Sequence, residues 1–110
     1  MATTVVLYDR PDDPEKFDEY YFRVHVPLAG RIPGLTRFVV SDGPVSTTGS
    51  TPYHLVAELA FDSAEAMRAG MSSPEGIAAT EDVANFAQGV TILTFDERVI
   101  QRPTDQSRTE

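Results

Sequence analysis

Two runs in this chain, Thr4-Val5-Val6-Leu7-Tyr8 and Leu35-Thr36-Arg37-Phe38-Val39-Val40-Ser41, carry apolar residues at odd and even positions alike. Successive side chains of a strand point to opposite faces of its sheet. Strands of this kind have no face that can be left to water, and a sheet built from them must be covered on both sides. A third run, Tyr53 to Phe61, alternates: Tyr53, Leu55, Ala57, Leu59 and Phe61 against His54, Val56, Glu58 and Ala60. A fourth, Val90 to Val99, completes a set of four predicted strands.

The longest helical signal lies between the first two strands. Asp13 is a good N-cap, Pro14 suits the first helical position, and Glu15 places an acid near the positive helix start. At about 100° per residue, Phe17, Tyr20, Tyr21, Val24 and Leu28 share one broad face. His25 falls at its edge, one turn after Tyr21. Pro27 cannot continue a regular helix and disfavours helix at Val26, so an end or kink is expected near His25. Gly30 to Gly34 turn the chain back. Asp42 to Pro52, rich in Gly, Pro, Ser and Thr, reads as a loop. Asp62-Ser63-Ala64-Glu65 opens a second helix with a capping-box pattern, and Ser73-Pro74-Glu75 restarts it to run to about Phe86, with Ile77, Val83 and Phe86 for burial.

The order is thus β-α-β-β-α-β, an α+β chain of ferredoxin-like type: one four-stranded antiparallel sheet with helices on one face. Residues 1–100 read as a single domain and 101–110 as a polar tail. Because helices cover only one sheet face, the other requires a second copy of the chain, and a homodimer with a barrel-like interior is expected.

Composition narrows the chemistry. Without cysteine there are no disulfides, thiolate nucleophiles, iron–sulfur clusters or Cys-bound zinc, which suits a cytoplasmic setting. Seventeen acids against nine basic residues give a net charge of −8, with Lys16 the only lysine, which argues against a nucleic-acid partner. No run approaches the roughly 20 apolar residues of a membrane span, and the N-terminus lacks the basic and apolar regions of a signal peptide. Two histidines far apart, without a helical His-x-x-x-His, make a poor metal set. No phosphate loop, Rossmann fingerprint or nucleophile elbow is present. No cofactor is therefore expected. Haem, with His25 or His54 as axial ligand, stays open as a third reading, testable by a Soret band.

The segments Tyr8-Asp9-Arg10-Pro11-Asp12-Asp13-Pro14, His25-Val26-Pro27-Leu28, Ile32-Pro33-Gly34-Leu35, Ser72-Ser73-Pro74-Glu75-Gly76 and Asp82-Val83-Ala84-Asn85-Phe86 together resemble the EthD family, named for ethyl tert-butyl ether degradation. The likeness spans roughly residues 4 to 99. It implies a dimeric α+β barrel, in agreement with the pattern argument. It does not imply one reaction, since the wider superfamily includes lactone isomerases, cofactor-free monooxygenases and haem enzymes.

His25 is the leading candidate for chemistry. An imidazole exchanges protons near neutrality, and the resemblance carries to it the active-site histidine of the related lactone isomerases. Its rival role is a core or capping histidine that fixes the Pro27 turn. Tyr21 could orient a substrate through its hydroxyl or simply pack. Asp18, two turns before His25, reads as surface. His54 lies opposite Leu55 and Leu59 and suits either a pocket or, slightly better, the dimer interface. Met71 and Phe86, with Met67 and Ile77, are core residues placed to line a cavity between sheet and helices, where a small hydrophobic molecule would fit. The expected function is a cofactor-independent enzyme, isomerase- or monooxygenase-like, acting on a small apolar or aromatic metabolite with His25 as acid/base. The alternative is a non-catalytic dimeric binding or accessory protein for an oxygenase-linked degradation pathway.

Overall fold

A computed structural model describes residues 1–101. Strand β1 (Ala2–Asp9) leads to helix α1 (Pro14–Tyr20), a wide π-helical turn (Tyr21–His25) and helix α2 (Val26–Ala29). Then follow β2 (Leu35–Val40), β3 (Tyr53–Phe61), α3 (Ala64–Ser72), α4 (Pro74–Asp82), a 3₁₀ turn (Val83–Asn85) and β4 (Val90–Asp96). The tail expected from Gln101 onward lies, but for that residue, outside the described residues. The strands form one antiparallel sheet in the order β2-β3-β1-β4. This is the expected ferredoxin-like α+β architecture.

Register assigns the two faces. Residues paired across an antiparallel ladder share a face. Pairing Val6 with Ala57 and Ile92, and Tyr8 with Leu55 and Val90, puts these side chains on the helix-covered face. Pairing Val5 with Glu58 and Leu93, and Thr3 with Ala60 and Phe95, puts those on the other. The core of Tyr8, Phe17, Tyr21, Leu55, Leu59 and Phe61 sits between sheet and helices.

The first helix departs from its expected end. It passes through His25 and Pro27 to Ala29. Pro27 has no N–H for the carbonyl one turn back. The chain absorbs this by widening ahead of the proline, where the Val26 N–H reaches the Tyr21 carbonyl, five residues back. Val26 keeps helical angles (φ −59°, ψ −48°), so the usual penalty before proline is overridden. A regular helix turns about 100° per residue, so side chains four apart drift around it; a π turn takes out that drift. The buried stripe accordingly runs Phe17, Tyr21, His25, Ala29. His25 moves from the edge of the apolar face to its centre.

The second helical region also differs. Ile77, expected inside, is exposed, whereas Gly76, Ala79 and Asp82 are buried. Gly76 sets this phase: a Cβ there would strike the carbonyls of Gly70 and Met71. Gly70 is under like constraint, with Pro33 O, Phe61 and Ile32 closing on the place of a Cβ. α3 can seat against the turn after α2 only with glycine at that point. The Gly70→Ala variant should lose about 1–3 kcal/mol of stability, the usual cost of overpacking, read from urea unfolding. An unchanged midpoint would contradict this packing.

Candidate functional site

Two elements far apart in sequence bring the site together. The π turn aims His25 inward, and the last residue of α4, Asp82, meets it: His25 Nδ1 lies 2.9 Å from Asp82 Oδ2, and both residues are buried. The other carboxylate oxygen accepts a 2.6 Å hydrogen bond from the Tyr20 hydroxyl and a 3.0 Å bond from Asn85 Nδ2. Burial pushes the Asp82 carboxyl up, but the bonds from Tyr20, Asn85 and His25 outweigh it and hold it below the ordinary aspartate value. The same carboxylate holds the Tyr20 phenol above its usual value.

This fixes the histidine tautomer. An ionised carboxylate only accepts hydrogen bonds, so the Nδ1 facing Asp82 carries the proton. In the neutral imidazole the free lone pair is then on Nε2. Nε2 makes no hydrogen bond among the described residues, and the ring borders the adjoining space. Tyr21 and Phe86 pack against the imidazole with ring centroids at 5.3 and 4.8 Å and ring planes tilted by 32° and 56°.

That space is a cavity of about 170 Å³ between sheet and helices. Thr4, Tyr8, Tyr21, His25 and Thr80 are its polar lining, and Val6, Leu59, Met71 and Ile92 are among its apolar walls. It has room for one six-membered ring rather than a porphyrin. The Tyr21 hydroxyl is fully buried without a partner. It neighbours Tyr8 without closing a hydrogen bond, and burial raises both phenols above their ordinary values. Both stay protonated near neutrality and can donate.

Of the residues singled out in the sequence, His25, Tyr21 and Met71 border this cavity, and Phe86 packs behind His25. His54 lies elsewhere. β3 carries a one-residue bulge there, Tyr8 pairing with Leu55 and Asp9 with Tyr53. A bulge breaks the alternation of faces. His54 reaches the helix side, where Nε2 is 2.7 Å from Asp18 Oδ1 and the ring meets the edge of Phe17. It borders a separate groove with Arg10, Asp18 and Tyr53. Asp18, read as surface, is thus the partner of the other histidine.

Asp82, Tyr20, Asn85 and Tyr8 were missed. An acid ending a helix reads as solvated, and nothing in the spacing ties residue 82 to residue 25. The available signal was that Tyr8 opens one segment of the EthD resemblance and Asp82-Val83-Ala84-Asn85-Phe86 forms another. Among the described residues no three or more His, Asp or Glu side chains gather to hold a metal ion, and no helix is long and apolar enough to cross a membrane.

Comparison with known proteins places this arrangement. The EthD domain matches residues 10–89. The chain belongs to the EthD family. An uncharacterized 11.0 kDa protein of Rhodococcus erythropolis, from the thcB-thcC intergenic region, is 40% identical over 102 residues, covering 91% of this chain and 98% of its own. An EthD family protein of Bacillus halodurans has a crystal structure that superimposes with a TM-score of 0.81 at 33% identity, covering 89% of this chain and 99% of that one. SnoaB of Streptomyces nogalater, a cofactor-independent oxygenase, shares the fold alone: TM-score 0.63, 17% identity, coverage 90% and 94%.

Asp82→Asn should lower stability near pH 7 by about 2 kcal/mol, as for a hydrogen bond to a charged group. A carboxyl with a depressed folded-state pKa stabilises the fold above its unfolded value and loses that contribution as pH falls through the folded one. The gap between parent and variant should therefore narrow below about pH 4. Thermal melts across pH 2.5–7, a range chosen about these values, give the measurement, and a gap constant with pH would contradict it.

Proposed function

We propose that this EthD-family chain is a small enzyme in which His25 moves a proton within the cavity. The supporting observation is the His25–Asp82 pair: a buried imidazole held at Nδ1 by a carboxylate, with Nε2 left toward an apolar space. Asp82 holds the imidazole in the tautomer that leaves Nε2 free to take a proton, as in other carboxylate-oriented histidines. Largely apolar walls surround the transferred proton and limit its contact with water. Isomerisation and cofactor-independent oxygenation of a carbonyl compound can both begin by removing a proton from carbon, so this site suits either. The substrate of this reading is a small apolar or aromatic metabolite.

The second copy expected from the sequence has a place in the fold. The helix-free face carries Val5, Leu7, Val39 and Val56 together with Leu93 and Phe95, the last two each about half exposed. A homodimer joined through this face covers them, with the helices and the cavity on the outside of each sheet.

Two measurements test these readings. A panel of small cyclic ketones and lactones incubated with protein in D₂O should gain deuterium at acidic carbons. His25→Gln should slow that exchange about 10²–10⁴-fold, the usual worth of a positioned general base, while keeping its melting temperature within a few degrees. Equal exchange with both proteins removes His25 from the mechanism; saturable binding with no exchange by the parent favours the binding-protein reading. Light scattering at micromolar concentration should give twice the chain mass, with Leu93→Asp shifting the protein to monomer. A monomeric parent overturns the dimer.

A further inference from the structure

The apolar walls explain where a ligand would sit but not how it would be oriented. The polar end of the cavity holds a more specific feature. Tyr8 lies on β1 and Tyr21 on the π turn, and their rings meet edge to face at 5.5 Å. The residues are 2% and 0% exposed. Tyr21 keeps an unpartnered, fully buried hydroxyl. A buried donor left unpaired is costly, and native structures seldom retain one without use. Tyr20, the adjacent residue, spends its hydroxyl on Asp82. Among the described residues the Tyr8 and Tyr21 hydroxyls bind no carboxylate; each has the other as a polar neighbour.

Size sets the other limit. A closed, dry cavity of about 150 Å³ holds one benzene ring; this one measures about 170 Å³ and is bordered on one side by the exposed Val90 and Ile92. We propose that the cavity takes a monocyclic carbonyl compound, one six-membered ring with at most a small substituent, whose oxygen is received by the Tyr8 and Tyr21 hydroxyls. The inference rests on the acid/base reading of His25 and adds the ligand class to it. The Tyr21 and His25 rings are 5.3 Å apart, so an oxygen at the tyrosines puts the adjacent ring carbon on the histidine side.

The step then balances. His25 Nε2 takes the proton from the carbon next to the carbonyl, and an N–H bond forms as the C–H bond breaks. The released pair becomes the new C=C bond, and the carbonyl π pair moves to the oxygen. Hydrogen bonds from the tyrosines stabilise that charge as it develops. Return of the proton to the same carbon gives exchange, and return to a conjugated carbon gives an isomer.

Three probes test this with the full chain, cyclohexanone, oxygen-free toluene of like size and the two-ring ketone 1-tetralone, with D₂O exchange read on both ketones. Cyclohexanone should bind saturably and 1-tetralone should not. Tyr21→Phe and Tyr8→Phe should each weaken cyclohexanone about three- to tenfold, the worth of one hydrogen bond, and leave toluene within about twofold. Tyr21→Phe should melt no lower than the parent, because it removes an unpartnered hydroxyl. Cyclohexanone affinity unchanged in both variants, or lost together with toluene affinity and melting temperature, overturns the tyrosine assignment. Binding of 1-tetralone as tight as cyclohexanone overturns the one-ring limit. The two readings fail separately. Tyrosine-dependent binding without exchange overturns the acid/base reading and leaves the ligand class standing. Exchange on 1-tetralone alone, lost in His25→Gln, does the reverse.

Discussion

The missing N–H of Pro27 shapes the site. One absent donor makes the helix widen over Tyr21–His25, and the widening aligns Phe17, Tyr21, His25 and Ala29 in a straight buried row. With a regular turn in that place, the row would slide around the helix and His25 would sit at the rim of the core. π turns are costly in isolation and recur where a side chain must be re-aimed. Here the re-aimed side chain is the imidazole. Its neighbour in the row, Tyr21, is carried into the same cavity by the same device.

The partner of His25 depends on a second constraint, equally far from the chemistry. Gly76 allows α4 to lie close against the end of α3, and this closeness fixes the rotation of α4. Asp82 then faces inward and Ile77 outward. Burying a carboxylate is unfavourable unless its oxygens are satisfied. Tyr20, Asn85 and His25 together meet that need. Tyr20 and His25 belong to one continuous helical run, and Asn85 to the turn just after Asp82. The first helix and the second helical region are therefore joined by a small polar network within an aromatic cluster, and the geometry of His25 is tied to the packing of both.

Element order and fold class were legible in the sequence because they rest on patterns of period two and on local caps. Tyr53–Phe61 shows its alternation openly, and Asp13, Ser63 and Ser73 cap the helices they precede. The site was half legible. His25 stood out by chemistry and Tyr21 by its spacing. Asp82 did not, because its role depends on a contact across 57 residues and on a helix phase set by a glycine. The slight preference for His54 at the dimer interface failed for a similar reason: alternation assigns it to the helix-free face, and the bulge at that residue turns it to Asp18 and a groove on the helix side. Hydrophobic pattern reports regular geometry, and at this site a π turn, a bulge and a close glycine contact each depart from it.

Strand β4 links the cavity to the uncovered face of the sheet. Val90 and Ile92 pair with Tyr8 and Val6 on the helix side and border the cavity, whereas Leu93 and Phe95 alternate to the other side. All seven residues of the strand are exposed, and among the described residues it is held to the sheet along one edge, by β1. Edge strands without cover open more readily than strands paired on both sides. Covering Leu93 and Phe95 would therefore stiffen the strand that carries Val90 and Ile92, and with it one wall of the cavity. Association through the helix-free face and ligand binding on the helix side would then favour one another, although they use opposite faces of the sheet.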